Sequence, residues 1–325
     1  MACKCKVCKG MGEFEAPMQA LWTIYEGLGP KCDVVAIAWE REDGNVYRYD
    51  FPIPKRLDPT AVKFVTHVAE RIAKFILWSA GGWKLYLSGP DAIVKPIAKA
   101  YAKNGARKFD YGFFNDLYGR PFEVEILPLR KMPGFAEKTS VVKTVADGCR
   151  IGFDLGASDF KISALNKGKV VFSKEFPWDP RNQPDPAYHY EKLTAGLREA
   201  AATLPRVDAI GGSTAGTLVG KRLGPASLLR AILERNPAKK DDARNLFFRI
   251  EKDWGVPFAV YNDGDVTALA GAITMKKKGI LGIAMGSSEA VGYVNRKGAM
   301  TGRISELAFA PVDFKPKSPK DEWSG

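Results

Sequence analysis

Three strand signals follow one another with almost no chain to spare: CRIGFDLG (149–156), DFKISALNKG (159–168) and KVVFSKEFPW (169–178). Turns of Asp/Ser and Asn-Lys-Gly type separate them, which folds the stretch into an antiparallel meander. Helices and strands alternate afterwards. Residues 187–204 read as a helix ended by Pro205, VDAIGGSTAG as a strand entering a glycine turn, and 225–254 as helical with a break at Asn236-Pro237. PFAVYNDG reads as a strand, DVTALAGAITMKKKG as a helix, and ILGIAMG and VGYVNRKGAM as strands, the latter turning at Lys297-Gly298. LAFAPVDF carries a last strand signal. A meander followed by strand–helix units predicts an α/β fold.

The chain has 325 residues, and at ~150 residues per domain that leaves room for two. Residues 1–130 form a separate small α/β domain in order β-β-α-β-α-β. DVVAIAW and Val46–Phe51 flank the turn at Asp43-Gly44-Asn45. Asp58-Pro59 opens a helix with Val62, Val65, Val68, Ile72, Phe75 and Ile76 at helical spacing, and Gly81-Gly82 ends it. WKLYLSG is a strand, DAIVKPIAKAYAKNG a helix closed by Gly105, and FEVEILPL a strand. Residues 131–149 read as a linker, 150–314 as the second domain, and 315–325 as a disordered tail that offers no apolar surface to offset ordering entropy. LAFAPVDF lacks a covering layer in this plan. The chain is therefore expected to stop short of a complete last lobe, to expose Leu307, Phe309 and Val312, and to self-associate.

At 46% hydrophobic residues the chain can bury a core, which argues against general disorder. No apolar run reaches the ~18 residues of a membrane span, and the N-terminus has no secretory h-region. The expectation is a cytoplasmic protein with no membrane partner. The net charge of +12 divides evenly, with 23 basic against 17 acidic residues in 1–150. Nucleic-acid binding, which more often concentrates charge on one element, is not expected. Cys3, Cys5 and Cys8 could hold Zn²⁺ with Cys32 or Cys149, or could be free thiols on a solvated terminus. The only histidines, His67 and His189, sit in no hydrolase motif.

Phosphate-binding plans of the P-loop and G-x-G-x-x-G kinds are absent. Three other places can carry chemistry. Asp154, Gly156 and Ser158 form a hairpin in which backbone N–H groups and a hydroxyl can approach phosphate while the carboxylate holds Mg²⁺ through water. Asn262, Asp263 and Asp265 sit between a strand and a helix, where carboxylates also serve as caps. Gly286, Ser287 and Ser288 lie in a strand–turn–strand.

In this order, with GGSTAG between the first two and Ser305-Glu306-Leu307 after the last, these elements resemble the ROK family of repressors and sugar kinases over residues 150–312. The resemblance implies a ribonuclease-H-like lobe of the actin-like ATPase kind with a partial second lobe, binding a sugar and a nucleotide, with ATP and Mg²⁺ as cofactors. It implies ATP-dependent phosphorylation of a hexose-like hydroxyl. Asp263 would be the general base, and Asn262 and Glu306 would hold sugar hydroxyls. Asp154, Gly156, Ser158, Gly286, Ser287 and Ser288 would face phosphate. Two departures point elsewhere: Glu289 would repel phosphate from the second loop, and Glu306-Leu307-Ala308-Phe309 lacks the family's histidine. The alternatives are a non-catalytic sugar- or nucleotide-sensing regulator and an inactive fragment.

Overall fold

A computed structural model describes residues 14–139, 147–156, 158–285 and 289–315. The chain divides into two compact units, one made of the described residues within Met1–Lys138 and Glu306–Gly325, the other of those within Thr139–Ser305.

The first unit begins with α1 (Pro17–Glu26), then β1 (Cys32–Glu40), β2 (Val46–Pro54), α2 (Pro59–Ala80), β3 (Lys84–Ser88), α3 (Asp91–Ala100), α4 (Lys108–Tyr118) and β4 (Glu123–Ile126). Its sheet runs β2-β1-β3-β4, with β1 antiparallel to both neighbours and β3 parallel to β4. Residues 35–39 of β1 are all buried. Ala36 and Ala38 pack with Val46 and Met132 on one face, while Trp39 on the other donates its indole N–H to the Ala73 carbonyl of α2 at 2.9 Å. Asp58 caps α2 by accepting from the Ala61 N–H at 2.8 Å, and Pro59 sits at the first helical position, where no N–H is needed.

Two helices here were not expected, α1 and α4, and the end of the chain differs more. LAFAPVDF is not a strand but a 3₁₀ turn, Leu307–Phe309, followed by extended chain. Phe309 stacks on Trp78 of α2 with centroids 4.5 Å apart, and Phe314 is buried. The Phe314 N–H donates to the Glu15 carbonyl at 2.8 Å. Residues 306–314, assigned from sequence to the second domain, pack with the first unit, because α2 supplies the apolar cover they need. Of the expected patch Val312 is exposed, at 61%. The tail beyond residue 315 lies outside the described residues.

The second unit runs β5 (Cys149–Leu155), β6 (Asp159–Asn166), β7 (Lys169–Pro177), α5 (Pro186–Ala201), β8 (Ala209–Thr214), β9 (Leu218–Val219), β10 (Arg222–Leu223), α6 (Arg230–Arg235), α7 (Lys240–Arg244), α8 (Leu246–Trp254), β11 (Phe258–Asn262), α9 (Asp263–Met275), β12 (Ile280–Met285) and β13 (Glu289–Val294). The main sheet has order β11-β8-β5-β6-β7. β5, β8 and β11 are parallel, and β6 is antiparallel to β5 and to β7. That is a ribonuclease-H-like sheet: a meander on one side, two parallel strands added on the other. Strand alternation puts Ile151, Phe153 and Leu155 into a core with Phe160, Ile162, Val260, Leu193 and Leu197 of α5, and Phe247 and Ile250 of α8. β12 and β13 form a separate antiparallel hairpin packed on α9.

Candidate active site

Alternation on the main sheet turns Gly152 and Asp154 of β5, Lys161 and Ser163 of β6, Ser173 of β7, and Gly211 and Ser213 of β8 to the face away from that core. With Ala259 and Tyr261 of β11 and Val266 and Leu269 of α9 they line an open concavity of about 480 Å³. The strand register aligns Asp154, Ser213 and Tyr261 in one row. One residue further on, the three parallel strands end together at Leu155, Thr214 and Asn262. The carboxyl ends of parallel strands are where open α/β sheets place their ligands.

Asp154 is exposed at this edge, and Ser213 Oγ donates to its Oδ1 at 2.5 Å. Asn262 is buried and caps α9: its Oδ1 accepts from the Gly264 N–H at 2.8 Å, and its Nδ2 donates to the Gly216 carbonyl at 2.9 Å. Both the oxygen and one N–H of its amide are thus bound internally, tying the strand end to the glycine turn after β8. Asp263 opens α9, and its Oδ1 accepts from the Gly264 N–H at 2.9 Å. Burial raises its carboxyl above the ordinary value; the Gly264 N–H works against that shift, and the charge of Asp154 adds to it. Asp154 and Asp263 are therefore close enough to feel each other. Asp265, one helical step on, is pushed up to about 7, first by burial and then by the charge of Asp263.

The other expected residues fall less simply. At Gly156 a Cβ would come within 2.9 Å of the Asp159 carbonyl, so the hairpin excludes a side chain there. Ser158 is exposed, and its hydroxyl donates to Asp159 Oδ2 at 3.2 Å. Gly286, Ser287 and Ser288 lie outside the described residues, as do Cys3, Cys5 and Cys8. Glu306 is buried in the first unit, so the second unit does not hold it. Glu289 pairs with Met285, which puts it on the hairpin face turned away from α9. Asp265 was named from sequence only as a helix cap, and Ser213 was given no role. GGSTAG contains Ser213, but the 59-residue separation from Asp154 hid their pairing.

Both histidines have structural partners. The His189 ring nitrogen Nε2 lies 2.9 Å from the Leu228 carbonyl, and that of His67 lies 2.8 Å from the Phe314 carbonyl. Among the described residues no group of three His, Cys, Asp or Glu side chains could hold a metal ion. This does not bear on Mg²⁺, which is commonly held by one or two carboxylates plus substrate phosphates. Asp154, exposed and oriented by Ser213, fits such a role. No helix among the described residues is long and apolar enough to cross a membrane.

No family model matches the chain, and no curated protein matches it. Solved structures do. A ROK family transcriptional regulator, a homologue of the E. coli MLC protein, is 18% identical over 55% of this chain and 44% of its own, with a TM-score of 0.41. The ROK hexokinase from Thermus thermophilus is 20% identical over 49% of this chain and 52% of its own, at 0.37. A ROK family protein from Streptococcus pneumoniae TIGR4, in complex with sucrose, is 15% identical over 49% and 50%, at 0.36. The chain spans about half the length of these proteins, and what they bind or catalyse is said of them alone. Over about half its length, the chain is similar in structure to ROK proteins, a regulator and a hexokinase among them.

Proposed function

We propose that the second unit carries the catalytic carboxylate of an ATP-dependent phosphotransferase acting on a hexose-like hydroxyl, with Asp263 as general base. One observation carries this reading: Asp154 and Asp263 sit together at the carboxyl edge of the parallel strands, and Asp263 is held above the ordinary carboxylate range. A base gains from a pKa moved towards the working pH, because it is then both ionised and a willing proton acceptor. Asp263 would take the proton from the attacking hydroxyl. Asn262 would fix the start of α9 through Gly216 and offer its remaining N–H to a sugar oxygen. Asp154, oriented by Ser213, would hold Mg²⁺ through water, with the tight turn at Gly156 letting backbone approach a phosphate. Bound Mg²⁺ would neutralise charge on the phosphates; phosphoryl transfer needs such positioning more than covalent help. A cytoplasmic place of action, where ATP is at hand, belongs to the same reading.

A second reading, a sugar or nucleotide sensor without turnover, is favoured by Ser158. Its hydroxyl is already given to the acidic Asp159, which sets a negative charge beside the turn meant for phosphate. The deciding experiment incubates the whole chain with ATP, Mg²⁺ and a panel of hexoses and follows ADP release. Sugar-dependent ADP release that falls by ~10²-fold or more in Asp263→Asn, with an unchanged melting curve, supports the base assignment. Unchanged turnover in the variant removes it, and sugar binding without any turnover in the parent favours the sensor.

A further inference from the structure

Five cations gather at one end of the β12–β13 hairpin. Lys276, Lys277 and Lys278 lie between α9 and β12, Arg296 and Lys297 follow β13, and all five are exposed. Two contacts bring the segments together. The Gly279 N–H donates to the Asn295 carbonyl at 3.1 Å, and the Lys278 side chain runs past Gly298, where a Cβ would stand 3.4 Å from its Cε. None of the five side chains has an ion pair or hydrogen bond among the described residues. Within 266–304 the single acid is Glu289, and it sits opposite Met285 at the far end of the hairpin.

Among the described residues, the β12 side of the hairpin face beside this cluster is apolar and exposed, while Val291 of β13, opposite Ile283 on the same face, is buried. Gly282 and Gly292 turn to α9, so Leu281, Ile283 and Met285 line the opposite face, exposed at 59%, 48% and 84%. Tyr293, half-buried, pairs with Leu281 on the same face. Met275, at the end of α9 just before the lysines, is 62% exposed. A row of large aliphatic side chains flanked by unpaired cations is an arrangement that water alone does not reward.

We propose that this hairpin face docks on the surface of an anionic lipid bilayer. The aliphatic row would enter the boundary between headgroups and acyl chains, Tyr293 would lie at headgroup level, and the five cations would neutralise acidic headgroups. Charge complementarity selects the anionic partner, and the aliphatic row selects lipid over nucleic acid, whose bases need exposed aromatic rings to stack on. Surface docking needs no spanning helix. The lack of an apolar run of spanning length, from which no membrane partner was expected, does not bear on it. The inference is independent of the phosphotransferase reading.

The test is co-sedimentation of the full chain with vesicles of phosphatidylcholine alone, or of phosphatidylcholine with about a third phosphatidylserine. Binding is expected to the anionic vesicles only and to weaken with added salt. A triple variant, Lys276→Glu, Lys277→Glu and Lys278→Glu, should lose at least about a hundredfold in partitioning, since removing each lysine alone costs roughly fivefold and the glutamates add repulsion. Leu281→Ser with Ile283→Ser should also weaken binding, by a salt-independent amount. A Lys→Gln version of the triple variant, with a melting curve for each protein, separates lost binding from lost folding. Equal binding to neutral vesicles overturns the proposal, and so does no binding to either. It is also overturned if a single-stranded RNA binds through the same lysines while vesicles do not. Concentration-dependent dimerisation abolished by Leu281→Ser, without vesicle binding, would assign the face to a second copy of the chain.

Discussion

Asp265 offers the sharpest test of how the start of α9 is built. Its carboxyl titrates at about 7 in the folded chain against an ordinary 3.8. Between those values the folded state binds a proton that the unfolded state has released, so stability falls as pH rises through the window. At 1.36 kcal/mol for each tenfold in proton affinity, the full effect is about 4 kcal/mol. Partial contact with water reduces it, and about 2 kcal/mol is the working expectation. Asp265→Asn removes the penalty and forfeits a favourable charge at the helix N-terminus, about 0.5 kcal/mol. The variant should therefore be more stable than the parent by about 1.5 kcal/mol at pH 8. At pH 4, where the parent carboxyl is protonated when folded, it should show no gain. Urea unfolding of both proteins at the two pH values measures this; with a slope near 2 kcal/mol/M the midpoints should separate by about 0.7 M at pH 8. A pH-independent difference between the two would refute the reasoning, since it would mean that the fold does not raise the Asp265 carboxyl above its unfolded value.

Gly292→Ala should destabilise the second unit by about 1–3 kcal/mol, because its Cβ would come within 2.3 Å of Asp265 Cα and of the Gly264 carbonyl; an unchanged urea midpoint would show that the hairpin moves off α9 freely. Phe309→Ala should cost the first unit about 2 kcal/mol through the lost stack on Trp78. A red-shifted tryptophan emission should accompany the lower urea midpoint, and an unchanged spectrum and midpoint would leave that end of the chain without a stabilising role.

The main sheet was legible because its signals are local. Ile151, Phe153 and Leu155 alternate with small or polar residues, and the turns between the first three strands are short enough to fix an antiparallel meander. The two unexpected helices have weaker signals. α4 reads KFDYGFFNDLY, with five aromatic residues and Gly112, all poor helix formers; tertiary packing of Phe114 and Leu117 holds it rather than propensity. LAFAPVDF looked like a strand because apolar residues recur in it. Whether such a stretch extends a sheet or lies on a helix depends on what surface waits for it, here Trp78 in a segment more than 200 residues earlier. Asp154 and Asp263 were singled out from motif order. Ser213 and the burial of Asp265 were not, since each depends on a partner strand or hairpin distant in sequence.

Glycine is where local reading says least, and the reason bears on the site itself. From sequence, Gly282 and Gly292 are ordinary members of the strand segments ILGIAMG and VGYVNRKGAM, and Gly264 ends the strand segment PFAVYNDG. In the fold all three serve close approach between α9 and the hairpin. A Cβ at Gly264 would meet the Val291 amide nitrogen at 2.7 Å, one at Gly282 the Ala268 nitrogen at 2.3 Å, and one at Gly292 the Asp265 Cα at 2.3 Å. α9 also reaches the main sheet, where Val266 and Leu269 border the concavity. A helix contacted on two sides needs no polar face, which explains why its sequence is apolar nearly all round and carries little amphipathic signal. The consequence is mechanical. Backbone packed against backbone leaves α9 little room to slide or rotate, so the first turn, with Asp263 on it, is held at the strand ends by the hairpin behind it and by the Asn262–Gly216 hydrogen bond in front. A general base works only if its oxygen stays within reach of the proton it takes. For the base proposed here, Asp263, that precision would come from three missing side chains as much as from the carboxylate.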